Sequence, residues 1–374
     1  MKVSDEILKM IPYKPGKPIS ETQREFGIAN VIKLASNENP LGMSPKAQKA
    51  VERAIQGAFR YPDASCHELV QKISEVWKFP KNQIAAGNGS DELIDLLIRI
   101  YCEPHESIFT TEAAFLSYST RATASRVKVE RIPLLPGFKA DLKAMAKYLR
   151  QFREDKKIRL VFLANPNNPT GTHISAAQVE EFLNEFGNHD ELLIVFDEAY
   201  TEFVRAKDYT SAQSYFSKFK SVVVLRTLSK IYGLAGLRVG VMLAPTETVD
   251  LVNRVRPPFN VNELAQMAAI AALDDYEFIR KTCELTWAGL DYFYQELRKM
   301  GLPFTESQGN FVMFDTLRVA KDVDYALLKR GIILRPILNY GFSNHLRISV
   351  GLPQENEMAM KMLKEVLNEV RPLK

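Results

Sequence analysis

Cysteine is scarce. The chain has three in 374 residues (Cys66, Cys102 and Cys283), an odd, scattered set without CxxC spacing. Neither a disulfide framework nor a cysteine zinc site is indicated. The five histidines, at 67, 105, 173, 189 and 345, form no HExxH or i,i+4 pair, so no histidine metal centre is expected. No apolar run approaches the roughly 18–20 residues that a membrane helix needs. The opening MKVSDEILKMIPYKPGKP is too acidic and too interrupted for a secretory signal. Charge of one sign is missing too: 49 Lys and Arg against 45 Asp and Glu leave a net +4, interspersed, with no nucleic-acid footprint. GxGxxG is absent, which removes the Rossmann dinucleotide fingerprint. A reducing cytoplasm is the expected setting, where the Asn88-Gly89-Ser90 sequon has no use.

What the chain does have is a large apolar content, 46%, enough for one large core and a second smaller one. Three continuous apolar runs, 160–163, 192–196 and 222–225, are separated by helical patterns at 175–186 and about 211–219. Such runs read as buried parallel strands, and the alternation as α/β architecture. Each run ends in a polar motif: NPNNPTG (165–171), DEAY (197–200) and TLSK (227–230). Ligands in open α/β sheets lie outside the carboxyl ends of the strands, so three dissimilar motifs fall on one edge of one sheet.

The flanking segments read as follows. Residues up to about 30, a short amphipathic piece (5–10) followed by Pro12, Pro15, Gly16 and Pro18, read as an extended arm. VIKLASNENPLG (31–42) is a short strand breaking into an amide-rich turn, and Pro45 opens a helix to about 59. A strand at 83–86 runs into GNGSDE (87–92), with Ser90 as N-cap of a helix whose apolar face recurs through Tyr101. That helix start could hold an anion, with Asp91 and Glu92 turned away; a capped helix with nothing bound reads the same. Residues 153–157, REDKK, are a solvated helix end. Residues 256–259, RPPF, are a hinge, after which Asn262 caps a helix to 272. Helix from 276 to 300, strand at 304–314, GIILRP, HLRISVG and a terminal helix complete the chain.

The most informative stretch is LRTLSKIYGLAGLRVG (225–240). Lys230 offers an amine that can condense with a carbonyl, while Thr227, Ser229 and Arg238 suit a phosphate dianion. Pyridoxal phosphate combines both groups. Taken alone, the stretch also fits a strand leading to a solvated loop with an ordinary lysine and arginine.

Assembled, the motifs KLASNENPLG, YPD, GNGSDE, NPNNPTG, DEAY, RTLSKIYGLAGLRVG and LRISVG resemble, in order and spacing, the fold-type I pyridoxal-phosphate aminotransferases. They are most similar to the histidinol-phosphate aminotransferase family, over nearly the whole chain. The resemblance implies a large, mostly parallel seven-stranded α/β domain (45–259) and a small α+β domain (31–44 and 260–374), preceded by an arm (1–30). It implies a homodimer with shared active sites. It also implies that Lys230 anchors the cofactor and that Asp197 meets its ring nitrogen. Asn168 and Tyr200 would bond its phenolic oxygen. Backbone groups of Ser90 and Asp91, with Thr227, Ser229 and Arg238, would hold the phosphate, with Tyr61 reaching it from the other subunit. Phe115 would stack on the ring; the chain reads Ala113-Ala114-Phe115 where many relatives have PTY or PTF, so a hydroxyl is missing there. Tyr13, Asn39, Arg335 and Arg347 would meet the substrate.

The function expected is transfer of the amino group of L-histidinol phosphate to 2-oxoglutarate in histidine biosynthesis. The small-molecule donor and 2-oxo acid would react in turn, with no metal, nucleic acid or membrane partner. An aromatic amino acid aminotransferase and a phosphothreonine-type decarboxylase share the scaffold. A binding protein that keeps the cofactor without turnover is a different class, and the complete set Lys230, Asp197 and Asn168 argues against it.

Overall fold

The computed structural model describes residues 3–12 and 16–373. In chain order, its elements begin with α1 (Asp5–Leu8), α2 (Ile19–Phe26), β1 (Ile32–Lys33), α3 (Pro45–Ala54) and α4 (His67–Trp77). Then follow β2 (Ile84–Asn88), α5 (Ser90–Tyr101), β3 (Ser107–Thr111), α6 (Leu116–Ala124), β4 (Lys128–Ile132) and α7 (Leu142–Lys156). Next are β5 (Ile158–Ala164), α8 (Ala176–Phe186), β6 (Leu193–Asp197), β7 (Val222–Thr227), β8 (Val239–Leu243), α9 (Thr246–Val255), α10 (Glu263–Leu273) and α11 (Tyr276–Lys299). The last part holds β9 (Phe311–Asp315), α12 (Ala320–Leu328), β10 (Ile332–Ile333), β11 (Arg335–Pro336), β12 (His345–Ser349) and α13 (Pro353–Glu369).

The three apolar runs are β5, β6 and β7, mutually parallel, at the centre of a seven-stranded sheet of order β2-β8-β7-β6-β5-β3-β4. Only β8 runs against its neighbours, β7 and β2. Side chains alternate across a strand, and both faces are buried. Val161, Leu163, Ile194, Phe196, Val222 and Val224 join the core under α4, α7, α8 and α10. Leu160, Phe162, Val195, Val223 and Leu225 join the core under α5, α6 and α9. That double burial is why these strands read as unbroken apolar runs. Strands β3 and β4 carry threonines and charges instead, and a glycine interrupts β8, so neither pattern announces a strand.

A second core gathers Leu34, the later turns of α11, strands β9, β10 and β12, and helices α12 and α13. Its edge lies inside α11, where Cys283 still packs into the large core and Leu290 into the small one. Residues 260–273, expected in the small domain, belong by packing to the large core. The alanines of α10 (Ala265, Ala268, Ala269, Ala272) are buried there, and their small side chains let the helix settle closely against α3.

Other expectations change locally. The arm contains two short helices rather than extended chain alone, α2 ending on Gly27 in the left-handed conformation. The helix from Pro45 stops at Ala54 and tightens into a 3-10 turn, and 211–219 forms only a 3-10 turn at Ala212–Tyr215.

Two glycines fix the joint between β2 and α5. Gly89 has φ +77°, and Gly240 on β8 passes so close that a Cβ there would lie 2.4 Å from Gly89 C and Ser90 N. Gly240→Ala should therefore cost roughly 1–3 kcal/mol, as overpacking typically does. The check is urea unfolding, where the midpoint should fall with the slope unchanged; wild-type stability would refute the close-packing role.

Candidate active site

At the carboxyl ends of β5, β6 and β7 the polar motifs converge on a cavity of about 230 Å³. One wall is an anion cradle. Strand β2 ends, Gly89 turns left-handed, and α5 begins with Ser90 and Asp91, both lining the cavity. Ser90 is the first helical residue and not the N-cap expected; Gly89 takes that place because the chain reverses there with positive φ. The acids of the first turn are tied elsewhere: Asp91 accepts from Ser117 Oγ, and Glu92 Oε2 accepts from Asn88 N (2.6 Å) and Asn260 Nδ2 (2.7 Å). Facing this helix start, Thr227 Oγ1 donates to Val239 O (3.3 Å) and accepts from Ser229 N (3.1 Å). Arg238 Nη1 donates to Ser229 Oγ (3.3 Å) and Ala235 O (3.1 Å), and its guanidinium packs against Gly89 so closely that a Cβ would meet Nη2 at 2.4 Å. Two hydroxyls, a guanidinium and a helix N-terminus are a fitting set for a phosphate dianion.

The floor is Asp197, the last residue of β6 and only 5% exposed. Its Oδ2 accepts from Tyr118 Oη (2.8 Å) and its Oδ1 from Ala199 N (3.3 Å). Burial pushes the carboxyl up to about 6; the Tyr118 hydroxyl and the Ala199 N–H oppose that rise, while Asp91 and Glu198 add to it. Lys230 lies one strand across, its Nζ 3.4 Å from Ser36 O and 6.0 Å from the Tyr200 ring centroid. Burial, reinforced by Arg347, pulls its ammonium down to about 8.

A hydrogen-bonded chain closes the remaining side. Tyr200 Oη accepts from Asn37 Nδ2 (2.9 Å) and Asn168 Nδ2 (3.3 Å), and burial pushes its phenol up to about 12. Asn168 Oδ1 accepts from Arg347 Nη1, while Arg347 Nη2 donates to Ala35 O (2.7 Å). Asn37 Oδ1 in turn accepts from Ser349 Oγ (2.7 Å). Arg335 pairs in register with Arg347 across β11 and β12, and both line the cavity, as does Phe115.

Not every expected residue is here. Asn39 does not line the cavity: its amide donates to Ile231 O (2.9 Å) and Thr282 Oγ1 (3.2 Å). It braces the backbone beside Lys230, and the amide facing the cavity is Asn37, turned inward by a positive φ of 55°. Tyr61 lies outside the lining too, 82% exposed and stacked on Phe259 at 4.6 Å. Tyr13 falls outside the described residues. Tyr118 carries a contact that the sequence reading missed; its only signal is a tyrosine three positions after Phe115, at the start of a helix. Among the described residues no group of His, Cys, Asp or Glu could hold a metal ion.

The donor set fits pyridoxal phosphate: a cradle for its phosphate, an amine for its aldehyde, a carboxylate for its ring nitrogen and an aromatic face. The low amine pKa has a stability consequence in the cofactor-free chain. A lysine whose folded pKa lies below its unfolded value destabilises the fold while charged, and the penalty fades as pH rises from about 8 towards the unfolded value. Lys230→Met should be more stable than wild type at pH 7, by on the order of 3 kcal/mol. The gap should shrink as pH climbs to about 10, and denaturant unfolding at several pH values measures it; a constant gap would contradict the burial of the amine.

The sequence profile described as Aminotransferase class I and II matches residues 29–363. The chain is 60% identical over 373 residues, the full length of both proteins, to the histidinol-phosphate aminotransferase of Bdellovibrio bacteriovorus. It is 40% identical to that of Caldicellulosiruptor saccharolyticus, covering 97% of this chain and 99% of the relative. In fold it is similar to the crystal structure of histidinol-phosphate aminotransferase from Sinorhizobium meliloti in complex with pyridoxal-5'-phosphate. There the TM-score is 0.87 at 24% identity, covering 98% of each chain. The chain thus belongs to the class I and II aminotransferases, a pyridoxal-phosphate-dependent family, and within it to the histidinol-phosphate aminotransferases.

Proposed function

We propose that the chain transfers the amino group of L-histidinol phosphate to 2-oxoglutarate, giving imidazole acetol phosphate and L-glutamate. The observation that carries this reading is the number of guanidinium groups that line one cavity. Arg238 with its hydroxyls suffices for the cofactor's phosphate, yet Arg335 and Arg347 line the same cavity. Anionic substrates account for them, and full-length likeness to the Bdellovibrio enzyme supports the choice of donor.

Pyridoxal phosphate, when bound, supplies an electron-withdrawing ring and the carbonyl through which the amino group passes. In this reading the backbone N–H groups of Ser90 and Asp91, with Thr227, Ser229 and Arg238, hold its phosphate, and Phe115 covers one ring face. Asp197, ionised, favours a proton on the ring nitrogen. Asn168 and Tyr200 direct N–H and O–H towards the phenolic oxygen; because Tyr200 Oη already accepts two N–H bonds, its own hydrogen is left to point into the cavity. Lys230 would anchor the cofactor, and its Nζ, when free, would take the proton from the substrate carbon and return it. A pKa near 8 suits that exchange, since a useful base titrates close to the working pH. Arg347 receives an oxyanion in both half-reactions, and Arg335 adds a second cation for the phosphate dianion.

The same reading makes the protein a homodimer with Tyr61 reaching the neighbouring subunit's site, in the cytoplasm. Support comes from the apolar surface around it: Ile55, Phe59 and Tyr61 are all exposed in the single chain. The three cysteines are free and buried, as suits a reducing compartment, and no described helix is long and apolar enough to cross a membrane.

Two measurements test these points. Stopped-flow rates of the separate half-reactions should show Arg335→Ala harming the donor half more than the 2-oxoglutarate half. The difference expected is roughly 1.5–3 kcal/mol, the worth of a charge-assisted contact. Equal damage to both halves, or phenylalanine outrunning histidinol phosphate, would favour an aromatic amino acid aminotransferase instead. For the dimer, mixing Lys230→Ala and Tyr61→Phe chains should restore activity, since one site of each hybrid carries neither lesion. Hybrids that form yet stay inactive would rule out sharing.

A further inference from the structure

Tyr118 lies beneath the cavity, fully buried, one turn into α6 from Phe115. Its ring stacks on Phe162 of β5 (centroids 4.7 Å, 17°) and meets the edge of Phe115 (5.8 Å, 87°). Its hydroxyl donates to Asp197 Oδ2 at 2.8 Å. We propose that Tyr118 is a positioning residue for the transamination, a buried phenol that orients the Asp197 carboxylate towards the cofactor's ring nitrogen and keeps it charged. The proposal rests on the role given to Asp197 above and adds how that role is sustained.

A carboxylate cut off from water takes up a proton unless donors compensate. The ionisable groups facing Asp197 are Tyr118 from α6, Asp91 from the start of α5, Glu198 beside it in the chain, and Tyr200 from the turn that follows. The two acids oppose its charge. Compensation comes from the Ala199 N–H at 3.3 Å and the Tyr118 hydroxyl at 2.8 Å, the shorter contact and, among the described residues, the only one from a side chain. Tyr118 is well suited to donate at every working pH: burial and Asp197 itself push its own ionisation far up, with Tyr340 and Asp91 adding to the effect. The ring cannot swing away, because Phe162 and Phe115 hold two of its sides. Helix α6 thereby sets two things at once, the aromatic cover on one cofactor face and the direction of the carboxylate.

The test uses the holoenzyme loaded with cofactor labelled with 15N at the ring nitrogen. In Tyr118→Phe the change in the 15N signal that accompanies protonation of the neighbouring carboxylate should begin at higher pH on acidification. The acidic limb of the donor half-reaction should rise by about one pH unit, the scale of a lost hydrogen bond to a charged form. The rate deficit should be about tenfold near that limb and narrow as pH increases. Phe162→Leu loosens the same packing with the hydroxyl in place; it should lower the unfolding temperature and leave the limb where it was. A wild-type limb and 15N signal in Tyr118→Phe, or an equal shift in Phe162→Leu, would overturn the proposal. Should Tyr118→Phe fail to fold, 3-fluorotyrosine at 118, a more acidic donor, should move the limb downward, and no such movement would sink it. The two readings separate cleanly. Full turnover in Asp197→Asn defeats the role of Asp197 itself, whereas loss there with a wild-type Tyr118→Phe defeats Tyr118 alone.

Discussion

The cavity depends on one joint, the hydrogen-bonded chain Ser349–Asn37–Tyr200–Asn168–Arg347. Its members come from four segments far apart in sequence: the amide-rich turn after β1, the loops after β5 and β6, and strand β12. Tyr200 and Asn168 belong to the large domain's sheet edge, while Ser349 and Arg347 sit on the small domain's sheet. Its members hold one another by hydrogen bonds, so the two cores meet through polar groups that leave little freedom of orientation. A single aliphatic substitution here would strand a buried amide or guanidinium, at the cost of a desolvated polar group as well as a lost contact.

Around that joint, burial tunes each ionisable group for a different task. Removed from water, Lys230 moves down to about 8, Asp197 up to about 6 and Tyr200 up to about 12. All three shifts have desolvation as their largest cause, yet they act oppositely on acids and bases, as expected when the charged form is disfavoured in each case. The amine is brought towards neutrality and the phenol is kept as a donor. The carboxylate is held back from protonation by hydrogen bonds alone. Opposite shifts in one cleft mark a site built for proton movement.

Sheet geometry explains why the site lies where it does. Six parallel strands all deliver their carboxyl ends to one edge, and β8 turns against them to bring Gly240 beside Gly89 and Ser90. Glycine is required at 240 because backbone approaches backbone, and at 89 because φ there is +77°. The Arg238 guanidinium occupies the space that a side chain on Gly89 would need, so the cradle is assembled from a strand end, a helix start and a returning loop without any one of them being complete.

Much of this was legible in the residues. Double burial leaves unbroken apolar runs, so β5, β6 and β7 and the motifs at their ends could be read directly, and Lys230, Asp197, Asn168, Thr227, Ser229 and Arg238 do meet in one cavity. The likeness of the assembled motifs supplied the cofactor and the family. Tertiary structure alone decided the rest. Asn37 and Asn39 are indistinguishable as letters, and only the positive φ at Asn37 turns one amide inward while the other caps the chain beside Lys230. The domain edge falls inside α11 because a helix pattern records one apolar face and not which core receives it. Strands β3 and β4 stayed hidden because threonines and charges tolerate pairing without signalling it. Tyr118 looks like any helical tyrosine until β5 and β6 bring Phe162 and Asp197 around it. A local pattern records how a segment meets water; which distant segment replaces that water is determined by packing.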